Sequence, residues 1–219
     1  MNLLETILKG QVMMVPLIAC SVIAMAVFTD RLLAFYANGK IDVRALRSQL
    51  RNLLREHKLK EAAVLCADTP GPISAVLLAG IQSYNKLINR TPENTRITVG
   101  QAMDDFSRQS IGTVDKRLWI LATIAAAAPL LGMTGTVVGM IKSFQGMGEG
   151  ESGTASVVAV GISEALITTA AGLIIALGAV IPYSIFAAKS DKIELDIEEA
   201  ATEMLDLLAT EVDSEKANA

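Results

Sequence analysis

The amino-acid sequence predicts an all-α membrane protein in which three transmembrane helices are joined to long cytoplasmic helical extensions. The chain has 219 residues, of which 52% are apolar and 4% are aromatic. The apolar residues are concentrated in three long runs, which is typical of helices that cross a bilayer and not of a soluble core. Fourteen of the 19 lysines and arginines lie between the first run and the second. This asymmetry is typical of a membrane protein with one large cytoplasmic region.

Each apolar run is long enough to cross the membrane, because about 20 residues of helix cover about 30 Å of hydrocarbon. The third run is longer than one bilayer requires, so we expect its helix to continue into the aqueous phase. In chain order, the predicted segments are an external N-terminus (1–11), the first span (12–29), a cytoplasmic helical region (30–117), the second span (118–145), an external loop (146–156), the third span (157–188) and a cytoplasmic C-terminal helix (189–219).

The expected orientation follows from the basic residues, since loops rich in lysine and arginine stay in the cytoplasm. The N-terminus is therefore predicted outside and the C-terminus inside. A cleaved leader is the alternative for the first run, because "LIAC" at 17–20 is similar to a lipoprotein cleavage box. The apolar run continues to Phe28, however, and cleavage would leave an apolar new terminus. This favours a retained membrane span.

The region between the first two spans is predicted to be helical. One helix is expected to begin after Asp42, and two more are predicted at "KLKEAAVLCA" and "ISAVLLAGIQSYNKL", with "DTPGP" between them. Thr91 followed by Pro92 is a start signal for a further helix. No proline follows before Pro129, so this helix is expected to run unbroken into the second span.

The sequence contains no pattern that indicates catalysis. It has no phosphate-binding loop, no nucleophile elbow and no metal-ligand spacing. His57 is the single histidine, and Cys20 and Cys66 are far apart. We therefore expect a protein that is not an enzyme and has no catalytic residue, cofactor or metal. The basic residues are not interleaved with aromatic ones, which favours contact with lipid headgroups over nucleic-acid binding.

Glu164, in "GISEALITTAAG", is the one charged residue between positions 152 and 188. It lies about seven residues, or about 10 Å, inside the third span. An ionisable side chain at such a depth costs roughly 2.5–3.5 kcal/mol on insertion scales, and such residues are typical of ion and proton routes. The alternatives are a glutamate that only hydrogen-bonds a neighbouring helix and one that snorkels to an interface, and the short Glu side chain makes snorkelling over about 10 Å unfavourable.

A helical wheel places small residues on the same face of the third span as Glu164, with bulky residues on the opposite face. That face contains Gly161, Thr168, Ala171, Gly178 and Pro182, with Ile175 as its one bulky member. The second span has a comparable small-residue stripe of Ala122, Ala125, Pro129, Gly132, Thr136, Gly139 and Ser143. Small residues let membrane helices approach closely, so most of these positions are explained by packing. Thr136 also brings a hydroxyl group to this stripe.

Two stretches, "PLLGMTGTVVGMIKSF" at 129–144 and "VGISEALITTAAGLIIALGAVIPY" at 160–183, resemble the MotA/TolQ/ExbB proton channel family, and ExbB and TolQ most. The resemblance implies a homopentamer around a central pore in the inner membrane of a bacterium, with the N-terminus in the periplasm. It implies a pore lined by spans two and three. A dimer of single-span ExbD- or TolR-like proteins would occupy the pore. The resemblance also admits a TonB- or TolA-like protein as a further partner, besides lipids.

The resemblance also implies a proton pathway. The pore glutamate of the family matches Glu164, its second-span threonine matches Thr136, and its third-span threonine matches Thr169. The helical wheel favours Thr168 over Thr169 on the face of Glu164, and the sequence leaves both open. The expected function is a proton-channel or stator subunit that couples the proton motive force to work at the cell envelope. Which envelope system it powers stays open.

Two other functions are possible from the sequence. A non-conducting membrane scaffold would use the glutamate only to join helices. An intramembrane enzyme would need a second catalytic group at membrane depth, and no His, Asp or Cys occurs in the second or third span. The enzyme is therefore the least favoured of the three.

Overall fold

A computed structural model of the chain describes residues 13–38, 43–87, 91–148 and 154–217, with the side chains of 146–148, 154–157, 211 and 213–217 excepted. These ranges form helices and contain no strand, which confirms the predicted all-α class. In chain order the helices are α1 (Met14–Asn38), α2 (Val43–Arg55), α3 (Leu59–Asp68), α4 (Pro72–Lys86), α5 (Pro92–Val114), α6 (Leu118–Gly148) and α7 (Thr154–Ala217).

Among the residues that the structure describes, three helices are long and apolar enough to cross a membrane, as predicted. Their candidate spans are Met14–Tyr36, Leu118–Gln145 and Val158–Thr210. The last range is 53 residues long, so α7 continues far beyond the length that one bilayer requires. The predicted external N-terminus at 1–11 lies outside the described residues, as does most of the predicted loop at 146–156.

The structure confirms one predicted helix start and corrects the helix that follows it. The Thr91 hydroxyl accepts a hydrogen bond from the Asn94 amide at 3.1 Å, and Pro92 opens α5. The other predicted cap, Asp42, lies outside the described residues. The expectation that α5 runs unbroken into the second span is wrong, because α5 ends at Val114 and α6 begins at Leu118.

The break between α5 and α6 has a local cause that the sequence does not signal. Arg117 adopts a φ of 72°, a left-handed conformation that cannot continue a right-handed helix. Two residues earlier, the Asp115 carboxylate accepts a hydrogen bond from the Ser190 hydroxyl of α7. The left-handed residue and the hydrogen bond together produce a turn at 115–117, where the sequence has neither glycine nor proline.

The chain divides into two compact units. We call residues 1–32 and 117–186 the span unit, and residues 33–116 and 187–219 the bundle unit. The bundle unit contains α2 to α5 and the C-terminal part of α7. Its core consists of large apolar side chains, and the bulkiest of the fully buried ones are Tyr84, Leu77, Ile81, Met103, Ile197, Met204 and Leu208.

Ion pairs add to the apolar packing of the bundle unit. Arg47 of α2 lies 2.9 Å from Glu199 and 2.9 Å from Glu203 of α7, and Arg51 also pairs with Glu203. Arg96 of α5 lies 3.0 Å from Asp206. The basic face of α2 is therefore neutralised in part by the acidic face of the C-terminal helix, and contacts of this kind contribute modestly at an exposed surface.

Candidate functional site in the third span

The residues that surround Glu164 along α7 are small and contact α6. Gly161, one turn before it, lies against Ser143, and an added Cβ at Gly161 would overlap the Ser143 hydroxyl. Thr168, one turn after it, is 1% exposed, and its methyl group packs against Gly135. Glu164 is less buried than Thr168. Since residues three and four apart share a helix face, Glu164 lies at the edge of the α6–α7 contact.

This contact is close because glycines on both helices let the backbones approach. An added Cβ at Gly172 would lie 2.6 Å from the Ala128 carbonyl oxygen, and one at Gly132 would lie 3.0 Å from the Thr169 Cα. Side chains larger than hydrogen do not fit at such separations. The stripe of small residues predicted on the second span is therefore partly a packing surface within one chain.

The structure gives each of the three threonines of the predicted proton pathway a backbone acceptor. Thr169 donates to the Gly132 carbonyl of α6 at 2.9 Å, so it joins the two spans of one chain. Thr168 donates to the Glu164 carbonyl at 3.2 Å. Thr136 donates to the Met133 carbonyl of its own helix at 2.6 Å. Their hydroxyl protons are thus engaged by main-chain carbonyls.

The Glu164 carboxyl group makes no hydrogen bond or ion pair with another described residue. Thr168 bonds to the backbone of Glu164 and not to its side chain. A carboxyl group that only joined helices would need a partner in hydrocarbon, because an unsatisfied polar group there is costly. The site therefore consists of one partly buried acid at the border of a tight helix pair. No three His, Cys, Asp or Glu side chains come close enough to hold a metal in the described part of the chain.

A second polar cluster, which the sequence analysis missed, lies at the opposite end of the spans. The Asp30 carboxylate of α1 accepts hydrogen bonds from Arg31 at 2.8 Å and from Arg117 at 3.0 Å. The Arg31 side chain is 10% exposed, while that of Arg117 is 49% exposed. The sequence did contain a signal for this cluster. An acid–base pair follows the first apolar run, and an arginine precedes the second.

The fold and the site define a class, namely helical membrane proteins in which a single acid is placed inside a tightly packed span. The family described as "MotA/TolQ/ExbB proton channel family" matches residues 68–199, which is more than half of the chain. The chain belongs to this family. The matched range includes Glu164 and all three threonines.

Individual relatives agree with the family assignment. An ExbB-like biopolymer transport protein of Synechocystis is 34% identical over 221 residues, covering 96% of this chain and 80% of the relative. The biopolymer transport protein ExbB of Salmonella typhimurium is 30% identical over 212 residues, covering 91% and 82%. The Tol-Pal system protein TolQ of Pseudomonas aeruginosa is 30% identical over 184 residues, covering 83% and 79%. The chain is thus a membrane protein similar to ExbB and to TolQ.

Proposed function

We propose that this chain is the channel-forming subunit of an energy-transducing complex, in which Glu164 takes up and releases protons as the proton motive force drives work at the cell envelope. The observation that carries the proposal is the carboxyl group of Glu164. It lies within an apolar span, is partly buried, and has no side-chain partner among the described residues. An ionisable group in that position is costly, and ionisable residues within membrane spans are typical of ion and proton routes.

The surface of the spans supports an assembly of several copies. In the apolar windows of the three spans, 22%, 28% and 22% of the residues are buried within one chain. The remaining surface is available to lipid, to further copies and to a partner helix. We propose a homopentamer with a dimer of ExbD- or TolR-like single-span proteins in its pore. Its location would be a bacterial inner membrane, with a periplasmic N-terminus, a cytoplasmic C-terminus and no enzymatic activity.

The three threonines receive different proposed roles. Thr169 holds α7 against α6 through its bond to the Gly132 carbonyl, while Thr168 packs against Gly135 and bonds within α7 to the Glu164 carbonyl. Thr136 lies one turn after Gly132 on α6 and is partly buried, so its hydroxyl group is the one we assign to the pathway beside Glu164. It can accept a hydrogen bond while it donates to Met133.

Proton uptake by liposomes tests this function. The chain would be purified together with an ExbD- or TolR-like single-span protein from the same organism and reconstituted with a pH-sensitive dye inside the vesicles. Glu164→Gln should abolish proton uptake that a membrane potential drives, while the complex keeps its mass. Glu194→Gln, which changes an exposed glutamate of α7, is the matched control and should conduct normally. Undiminished uptake in Glu164→Gln would show that Glu164 does not carry the protons, and an absence of uptake in the wild type would instead support a non-conducting scaffold.

A further inference from the structure

An apolar groove lies between α1 and α7 in the span unit. It has a volume of about 240 Å³ and is lined by Ser21, Ala24, Met25 and Phe28 on α1 and by Ile174, Ile175, Gly178 and Pro182 on α7. Met25 is 62% exposed and Ile174 is 71% exposed, so the groove opens to the outside of the chain. An added Cβ at Gly178 would meet no atom within 4 Å, which shows that the groove is open at this point.

One end of the groove adjoins the second polar cluster, which consists of Asp30, Arg31 and Arg117. Phe28 lines the groove and also contacts Phe186, with the ring centroids 6.0 Å apart. Asp30 and Arg31 follow Phe28 within one turn of α1, and Arg117 reaches the Asp30 carboxylate. Two guanidinium groups thus share one carboxylate, and the cluster has a net positive charge.

Arg117 is the member of the cluster that remains available to a ligand. Its side chain is 49% exposed, and the bond to Asp30 uses one of its five N–H donors. Its backbone has the left-handed φ of 72°, a strained conformation for a residue other than glycine. A strained arginine at a helix junction is a common feature of ligand-binding positions. Trp119, two residues later, is 68% exposed, and exposed tryptophan is typical of the membrane–water interface.

We propose that the groove and Arg117 together bind an anionic phospholipid, with one acyl chain in the groove and the phosphate group on the Arg117 guanidinium. Lipid is favoured over a second copy of the chain because the groove is apolar along its length and cationic at one end. A phospholipid has that same arrangement of an apolar chain and an anionic head. Arginine binds phosphate through paired N–H groups, and each basic side chain near the surface contributes about 1 kcal/mol toward anionic lipid.

Native mass spectrometry of the purified full-length assembly tests this site. The protein would be stripped of lipid in detergent and titrated with phosphatidylglycerol or with phosphatidylcholine, and bound lipids would be counted. The wild type should retain phosphatidylglycerol more strongly. Arg117→Gln should reduce that preference by about fivefold, the factor that corresponds to about 1 kcal/mol. Arg117→Lys keeps the charge and should keep most of the preference.

Two further variants separate the groove from the charge. Gly178→Leu places a bulky side chain in the groove, where it meets no neighbouring atom within 4 Å of its Cβ. It should lower the retention of both lipids without changing the mass of the assembly. Arg108→Gln, which removes an exposed arginine of α5, should leave retention unchanged. Equal retention of the two lipids by the wild type would overturn the proposal. So would unchanged retention in Gly178→Leu, or an assembly that dissociates in Gly178→Leu, since dissociation would identify the groove as a contact between copies.

Discussion

The two units of the chain differ in where most of their large apolar side chains lie, although Leu17, Leu121 and Phe186 are buried in the span unit. In the bundle unit, Tyr84, Ile81 and Met103 are at most 1% exposed and form the core. In the span unit, Ile174 and Leu166 are 71% and 61% exposed, while small residues occupy the helix contacts. Burial from water stabilises the first arrangement. In hydrocarbon that driving force between helices is absent, so close packing and hydrogen bonds stabilise the second.

This difference explains why a glycine at a helix contact has different surroundings in the two units. On α4, Gly80 lies beside the flexible side chains of Met103 and Met204, so the bundle core can adjust around it. On α6 and α7, Gly132 and Gly172 lie against backbone atoms, which cannot adjust. A change of residue size should therefore have different effects in the two units.

The largest expected effect comes from truncating a core residue of the bundle unit. Ile81→Ala leaves a cavity in a fully buried site and should destabilise the bundle unit by about 2–5 kcal/mol. Cys66 lies in the same core and is 2% exposed, so a reagent can alkylate it only when the bundle unit unfolds. The alkylation rate of Cys66 in the intact Ile81→Ala protein should exceed that in the wild type by about 30-fold or more. Ile185→Ala, at a 51% exposed position in the span unit, is the control and should leave the rate unchanged.

The next largest effect is expected at the glycine contact of the span unit. Gly172→Ala places a methyl group 2.6 Å from the Ala128 carbonyl oxygen and should destabilise the unit by about 1–3 kcal/mol. Thermal unfolding of the detergent-solubilised protein measures this loss. Gly178→Ala, whose methyl group meets no atom within 4 Å, should melt like the wild type. Equal melting temperatures for the two variants would contradict the close backbone contact at Gly172 within the span unit.

The bundle core also predicts a pH dependence. Burial raises the pKa of the Cys66 thiol from 9.0 to about 11. The thiol ionises at lower pH in the unfolded chain than in the folded one. The contribution of the un-ionised Cys66 thiol to the free energy of unfolding is therefore fully present below pH 9 and is lost as the pH rises through 11. At pH 10 the loss should be about 1.4 kcal/mol. Urea unfolding of the wild type and of Cys66→Ala at pH 8 and pH 10 isolates this loss of unfolding free energy. If the free energy of unfolding falls equally in both proteins, the buried thiol is not the cause of the pH dependence.

The smallest effect is expected for the hydrogen bond between the spans. Thr169→Val removes the bond to the Gly132 carbonyl while keeping the shape of the side chain, and such bonds contribute about 0.6 kcal/mol in membrane proteins. Thr134→Val is the matched control, because Thr134 is exposed and bonds within its own helix. Thermal unfolding should separate the two variants. If they melt alike, the bond contributes no measurable stability.

Much of the fold follows from the sequence because its signals are local. The three spans follow from apolar runs, and the start of α5 follows from Thr91 and Pro92. The break at Arg117 could not be predicted, since an arginine gives no local signal for positive φ. Likewise, "ITTAAG" does not show that Thr169 bonds to Gly132, because this depends on how α6 packs against α7. The position of Glu164 within a span was predicted, and its lack of a side-chain partner among the described residues required the structure.

Carbodiimide labelling followed by peptide mass spectrometry tests the central claim most directly. A hydrophobic carbodiimide reacts with carboxyl groups that hold a proton in apolar surroundings, so it reports on proton binding at an identified residue. In the reconstituted complex, Glu164 should be modified while exposed glutamates such as Glu194 are not, and the modification should decrease as the pH is raised. Absence of label on Glu164 at every pH, or a yield that does not vary with pH, would contradict the assignment of this side chain as the proton-binding group.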